Sequence, residues 1–204
     1  MATSQVVHVI DDDADVRQSL AFLLSTAGLA VRVYDSAVAF LKVLDDVQGG
    51  CVVTDIRMPQ IDGLELQRRL HARSSNLPVI VMTGHGDVAL AVEAMKAGAV
   101  DFIEKPFDDD VLLTAIRAAL SRHAEDSERE ARKAAIQSRL RTLSEREREV
   151  LDGLVAGKAN KVIAHDLGIS PRTVEVYRAN VMAKMQADSL SELVRMALVE
   201  GGVL

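Results

Sequence analysis

One cysteine in 204 residues cannot close an internal disulfide, and no apolar run reaches the roughly 18 residues that a membrane-spanning helix needs. Cys51 lies inside the apolar run CVVTD, which reads as a small buried hydrophobe in a reducing compartment rather than a nucleophile or ligand. The histidines (His8, His71, His85, His123, His165) are scattered with no pair at metal-ligand spacing, which argues against structural zinc. The opening MATSQVVHVIDDD has no basic segment before its apolar residues and runs straight into acids, unlike a secretory leader. These absences lead to the expectation of a cytoplasmic protein with no membrane partner.

The net charge of −6 speaks against a globally basic nucleic-acid binder, but the charge is unevenly spread. Residues 1–137 hold 14 Lys and Arg against 21 Asp and Glu, whereas 138–204 hold 10 against 9. Within 158–184 five basic residues face only two acidic ones. A locally basic element inside an acidic chain is the pattern of a module that meets polyanions while the remainder does something else.

The first 121 residues alternate short β-rich runs with amphipathic stretches. Strands are predicted at Val6–Ile10, Ala30–Val33, Cys51–Asp55, Pro78–Met82 and Val100–Glu104, with helices near 14–27, 36–47, 63–73, 86–97 and 108–121. Five strands alternating with five helices imply an α/β, doubly wound, five-stranded parallel sheet covered on both faces. From Phe107 to Asp152 there is neither glycine nor proline, so 122–141 reads as a helical linker continuous with the helix before it. The remainder, 142–204, reads as an all-α unit of four helices. Ser144-x-x-Glu147 is a capping box, Gly157 and Gly168 are stops, Ser170-Pro171 is a start, and Ser189 or Ser191 opens the last helix.

Three features converge on the carboxyl ends of the expected strands: Asp11 and Asp12 after the first, Asp55 at the end of the third, and Lys105-Pro106 after the fifth. Thr83 follows the fourth. Clustered carboxylates repel one another unless a hard cation intervenes, and Mg²⁺ takes a few carboxylate oxygens while retaining water. A carboxylate beside such a cation can attack a phosphoryl group and form an aspartyl phosphate. Lys105 would neutralise the phosphoryl oxygens and Thr83 would donate to the product phosphate.

VIDDD, VVTDIRMPQIDG, VMTGHG and DFIEKPF, in that order and spacing, resemble the receiver domain of two-component response regulators, with its CheY/flavodoxin-like fold, over about 1–121. The resemblance implies Asp55 as phospho-acceptor, and Asp11, Asp12 and the backbone carbonyl of Arg57 as Mg²⁺ ligands beside it. Thr83 and Lys105 become phosphate-contacting residues, Phe102 the aromatic switch partner of Thr83, and the peptide before Pro106 cis. Core packing is the competing reading of Phe102. Asp13 is expected to cap a helix or face solvent, and His85 to be a loop side chain placed where it could modulate phosphate hydrolysis.

The segment LSEREREVLDGLVAGKANKVIAHDLGISPRTVEVYRANVMAKM resembles the LuxR-type helix-turn-helix, over about 142–204. Both halves together are similar to the NarL/FixJ subfamily. That resemblance implies a sensor histidine kinase as donor, double-stranded promoter DNA as target, RNA polymerase as a partner, a homodimer on phosphorylation and, at the FixJ branch, a nitrogen-fixation regulon under activation. On the helix 171–186, Val174, Tyr177, Val181 and Met185 share one face and should pack inward, while Arg172, Glu175, Val176 and Ala179 share the other. Val176 suits a thymine methyl and Glu175 a cytosine amino group. Lys158, Lys161, Arg172, Thr173, Arg178 and Lys184 are candidate phosphate contacts, against a reading of each as solvated charge. Leu190, Leu193, Val194 and Ala197 form either a dimer face or part of the small core.

Two rival functions share some of these features. A phosphatase using Asp55 as nucleophile would carry a second acid two residues later, where Arg57 stands, so the chain reads as no enzyme. An output domain that binds protein or RNA is the other.

Overall fold

The computed structural model describes residues 6–73, 75–84 and 88–200. Its contacts divide the chain into two compact units, 1–126 and 127–204.

The first unit is built on strands β1 (Val6–Ile10), β2 (Ala30–Tyr34), β3 (Cys51–Asp55), β4 (Val79–Thr83) and β5 (Asp101–Glu104). All neighbours pair in parallel in the order β2-β1-β3-β4-β5. Between them run α1 (Ala14–Thr26), α2 (Ala37–Val43), α3 (Gly63–Ala72) and α4 (Val88–Lys96), and α5 (Asp109–Arg141) follows β5. Side-chain alternation along each strand splits the apolar residues between two faces. Val7, Val9, Cys51, Val53, Ile80 and Met82 pack against α1 and α5 through Leu20, Leu24, Leu112 and Ile116. Ile10, Val52, Val79 and Val81 pack against α2, α3 and α4 through Phe40, Leu66, Leu70 and Ala94. The doubly wound sheet is the expected one, and burial of each such side chain contributes about 1.5–3 kcal/mol. Burial pushes the Cys51 thiol up to about 12, as suits a packing residue.

One helix differs from expectation. The segment expected as a helix over 36–47 starts from its Ser36 cap but leaves α-geometry after Val43, tightening into a 3₁₀ turn at Leu44–Asp46. Asp45 and Asp46 fall where the negative end of the dipole disfavours acids, and Gly49 and Gly50 follow at positive φ. The helix after β5 runs unbroken to Arg141, as expected of a helical linker over 122–141 continuous with it. The described part of the helix expected over 86–97 runs from Val88 to Lys96, and residues 85–87, including His85, lie outside the described residues.

The second unit holds α6 (Glu145–Val155), α7 (Asn160–Leu167), α8 (Pro171–Met185) and α9 (Leu190–Glu200). Ser144 and Glu147 form the expected capping box, and Ser189 accepts from the Glu192 N–H at the start of α9. Gly168 ends α7 in the left-handed region at φ 66°, which lets the chain turn sharply into the Ser170 cap of α8. The core gathers Val150, Leu151, Leu154, Ile163, Val174, Val181, Met185 and Leu193. Ile136 and Leu140, on the last turns of α5, join it, so the tail of the expected linker is structural to this unit.

Candidate functional site

The strand order reverses direction about β1, with β2 on one side and β3 on the other, and the crevice beyond β1 and β3 is where such sheets bind ligands. Register makes the strand ends level there, pairing Ile10 with Thr54, Asp55 with Met82 and Thr83 with Glu104. Asp11, Asp55, Thr83 and Lys105 therefore reach one edge.

Lys105 Nζ donates to Asp55 Oδ1 at 2.6 Å and to Asp11 Oδ2 at 2.9 Å. The other Asp55 oxygen accepts the Arg57 N–H at 2.7 Å. Burial alone would pull the Lys105 ammonium down, but its hydrogen bonds to Asp55 and Asp11 and their charges outweigh this and hold it above the usual lysine range. The lysine stays cationic through the physiological range. Asp55 keeps 13% of its side chain exposed, enough to be reached, while Asp11 is buried. Thr83 is buried, and its carbonyl accepts the Lys105 N–H at 2.7 Å, joining the ends of β4 and β5. The Lys105–Pro106 peptide is cis.

Among the described residues no three or more His, Cys, Asp or Glu side chains converge on one point. Asp11 and Asp55 do converge, on the Lys105 ammonium, while Asp12 is exposed. Mg²⁺ needs only one or two carboxylates and keeps much of its water. Two convergent carboxylates, a third adjacent in sequence and no nitrogen or sulfur donor fit that ion.

Asp13 caps α1, its side chain accepting from the Asp15 and Val16 N–H groups. Phe102 is 44% exposed and so is not a core residue. Val92, Met95 and Val100, of α4 and its connection to β5, are exposed as well. Sequence reasoning missed Gly63. A Cβ there would stand 2.5 Å from the Asp55 carbonyl oxygen, so only glycine lets α3 start this close behind Asp55. The Asp62 cap that precedes Gly63 was the available signal.

In the second unit α8 buries Val174, Val181 and Met185, half-buries Tyr177, and exposes Arg172, Glu175, Val176 and Ala179. Val176 is 55% exposed, a valine with no core to join. Lys161, Arg172 and Arg178 have no ion pair among the described residues. Lys158 pairs with Asp166 at 2.8 Å, and the Thr173 hydroxyl shares a hydrogen bond with Ser170. Lys184 differs most from expectation. It donates to the Thr142 carbonyl at 3.2 Å and to the buried Glu147 at 2.6 Å, so its charge is already matched within the unit. Of the proposed α9 face, Leu193 is core and Leu190 is exposed.

Residues 7–117 match the family described as response regulator receiver domain, and residues 141–197 match bacterial regulatory proteins of the luxR family. The chain is 61% identical over 201 residues to the transcriptional regulatory protein FixJ of Azorhizobium caulinodans, covering 98% of this chain and 95% of that protein. It is 58% identical to FixJ of Rhizobium meliloti, covering 98% of each. Among solved structures, the response regulator StyR superposes with a TM-score of 0.88 at 40% identity, over 96% of this chain and 98% of that one. Full-length FixJ from B. japonicum, 54% identical and covered completely on both sides, gives a TM-score of 0.63.

Proposed function

This chain belongs to the response regulators that join a receiver domain to a LuxR-type DNA-binding domain, and we propose that it is a cytoplasmic, phosphorylation-switched transcriptional activator. Its modules would be a receiver over 1–121, a helical linker over 122–141 and a DNA reader over 142–204. The observation that carries the reading is the Lys105 ammonium held jointly by Asp55 and Asp11.

Asp55 is the nucleophile. One carboxylate oxygen attacks the phosphorus of a phosphohistidine on a sensor kinase, an O–P bond forms, and the N–P bond to imidazole breaks. The Arg57 N–H holds one Asp55 oxygen, while Lys105 offsets the charge gathering on the phosphoryl oxygens. Asp11, Asp12, Asp55 and the Arg57 carbonyl would hold Mg²⁺, which would supply the remaining charge neutralisation. Thr83 donates its hydroxyl to the product phosphate. Phe102 follows Thr83, biasing the exposed apolar residues Val92, Met95, Val100 and Phe102 towards a second copy. A cleft of about 700 Å³ beside the pocket, lined by Val16, Phe22, Leu23, Pro106 and Phe107, gives the kinase an apolar landing site.

Glu175, Val176 and Ala179 read bases of duplex DNA, while Lys158, Lys161, Arg172, Thr173 and Arg178 meet phosphates. Lys184 is omitted because Glu147 holds it. The resemblance to FixJ supports a nitrogen-fixation regulon, with RNA polymerase as the partner at the promoter. Incubation with a small phosphodonor and Mg²⁺ should put an acid-labile phosphoryl group on the wild type and none on Asp55→Asn. Equal incorporation by both would remove Asp55 from its role.

A further inference from the structure

We propose that Arg17 is a positioning residue for the acidic pocket, fixing Asp11 for Mg²⁺ through a hydrogen bond to the Asp11 backbone. The inference rests on the phospho-acceptor reading above and extends it to a residue on α1.

Arg17 Nη1 donates to the Asp11 carbonyl oxygen at 2.7 Å. The other polar atoms of Asp11 are engaged as well. Its N–H donates to the Tyr34 carbonyl, its Oδ1 accepts the Asp13 N–H at 2.9 Å, and its Oδ2 accepts Lys105. Asp13 in turn caps α1, and its carbonyl accepts the Arg17 N–H. The loop 11–13 is thus tied to α1 at both ends, by the Asp13 cap and by the Arg17 side chain.

Helical side chains lean towards the N-terminus, so an arginine four residues past the cap reaches back over the loop rather than along the helix. A cation so near the N-terminus sits against the helix dipole, where nothing local favours it. The half-buried side chain is instead held by the carbonyl of a buried residue. Turning that peptide would swing the Asp11 carboxylate away from the point that Asp55 and Lys105 define.

Two roles for Arg17 have opposite signs. If it acted only as a charge, removing it would lessen repulsion and tighten Mg²⁺ binding. If it positions Asp11, removal weakens binding, by about tenfold, the low end of what orienting partners of metal ligands contribute.

The test is isothermal titration of Mg²⁺ into unphosphorylated full-length protein. Arg17→Met should bind about tenfold more weakly than wild type and Arg17→Lys should fall between them. With the phosphodonor, Arg17→Met should need more Mg²⁺ for half-maximal phosphorylation yet reach the wild-type rate at saturation. Thermal melts identify any variant that fails to fold, and Arg17→Leu, which likewise lacks a donor, then replaces Arg17→Met. Unchanged or tighter binding in a folded variant overturns the proposal. Wild-type Mg²⁺ binding that survives Asp55→Asn and Asp11→Asn undiminished overturns the pocket reading itself, a result distinct from a failure at Arg17 alone.

Discussion

Gly63 shows how tightly Asp55 is backed. Any Cβ at this position meets the Asp55 carbonyl at 2.5 Å, and the obstacle is backbone, which cannot swing aside as a side chain would. Gly63→Ala should destabilise the protein by about 1–3 kcal/mol and slow phosphorylation of Asp55. Urea melts and phosphodonor kinetics check both, and a variant with wild-type values in each would mean that α3 does not brace Asp55. His8 makes a pH argument at the same scale. It is buried against Tyr34 and Phe40, its Nδ1 3.2 Å from the Tyr34 hydroxyl. Burial holds its pKa below the ordinary 6.5, with Arg32 adding to the effect and the contact to the Gly49 carbonyl opposing it. The unfolded chain therefore binds a proton that the folded one resists, so stability is full above about pH 6.5 and declines as pH falls through the folded value. His8→Leu should flatten the loss of urea midpoint between pH about 7.5 and about 5.5, and an unchanged slope would assign the acid sensitivity to other groups.

Helix α8 presents one apolar face to the core and one mixed face outwards, and the two outward residue classes should behave differently. Replacing Glu175 or Val176 should alter preference at individual base pairs by about 1–3 kcal/mol, measured by binding to operator variants. Lys161→Gln should weaken all duplexes alike and lower the salt slope by about one unit. Lys184→Gln provides the contrast, because Lys184 is bonded to Glu147 and holds it below the usual carboxylate range, helped by the Ser144 N–H. Its loss should lower stability by about 1 kcal/mol and leave the salt slope unchanged. A reduced slope would return Lys184 to the phosphate contacts. The difference marks what the sequence discloses at this scale. Apolar periodicity in α8 separated Val174 and Val181 from Glu175 and Val176, and glycine, proline and cap residues marked most helix ends within a residue or two. The partner of a long cation is not periodic, so Lys184 read like any other basic residue on the basic segment. The backbone contact of Arg17 was hidden for the same reason, and Gly63 because nothing in a linear motif says which backbone a missing Cβ would strike.

Across the whole chain the functional claim is that phosphorylation at one site changes DNA binding at another. The alternation of strands and helices made the first unit legible, but the border was harder. The run 122–141 is charged and glycine-free, and its contribution to a core shows only in the spacing of Ile136, Leu140 and Leu143. That contribution defines the fragment worth testing. A piece starting at 138 would lack Ile136, whereas 127–204 keeps the described core of its unit. A single helix in one groove makes few contacts, so a lone copy should bind weakly, and a dimer on two half-sites gains from pairing. Two mechanisms fit: the unphosphorylated receiver obstructs the DNA reader, or it only fails to dimerise it. The exposed apolar residues Val92, Met95, Val100 and Phe102, on α4, β5 and the connection between them, favour dimerisation, since a second copy could cover them. Full-length protein should therefore become dimeric with phosphodonor, by light scattering, and Val92→Glu should keep it monomeric without preventing Asp55 phosphorylation. The 127–204 fragment should bind operator regardless of phosphodonor, with the affinity of the unphosphorylated full-length chain. Tighter binding by the fragment would establish obstruction as a second control, and a phosphorylated protein that stays monomeric yet binds operator tightly would sink the dimerisation mechanism.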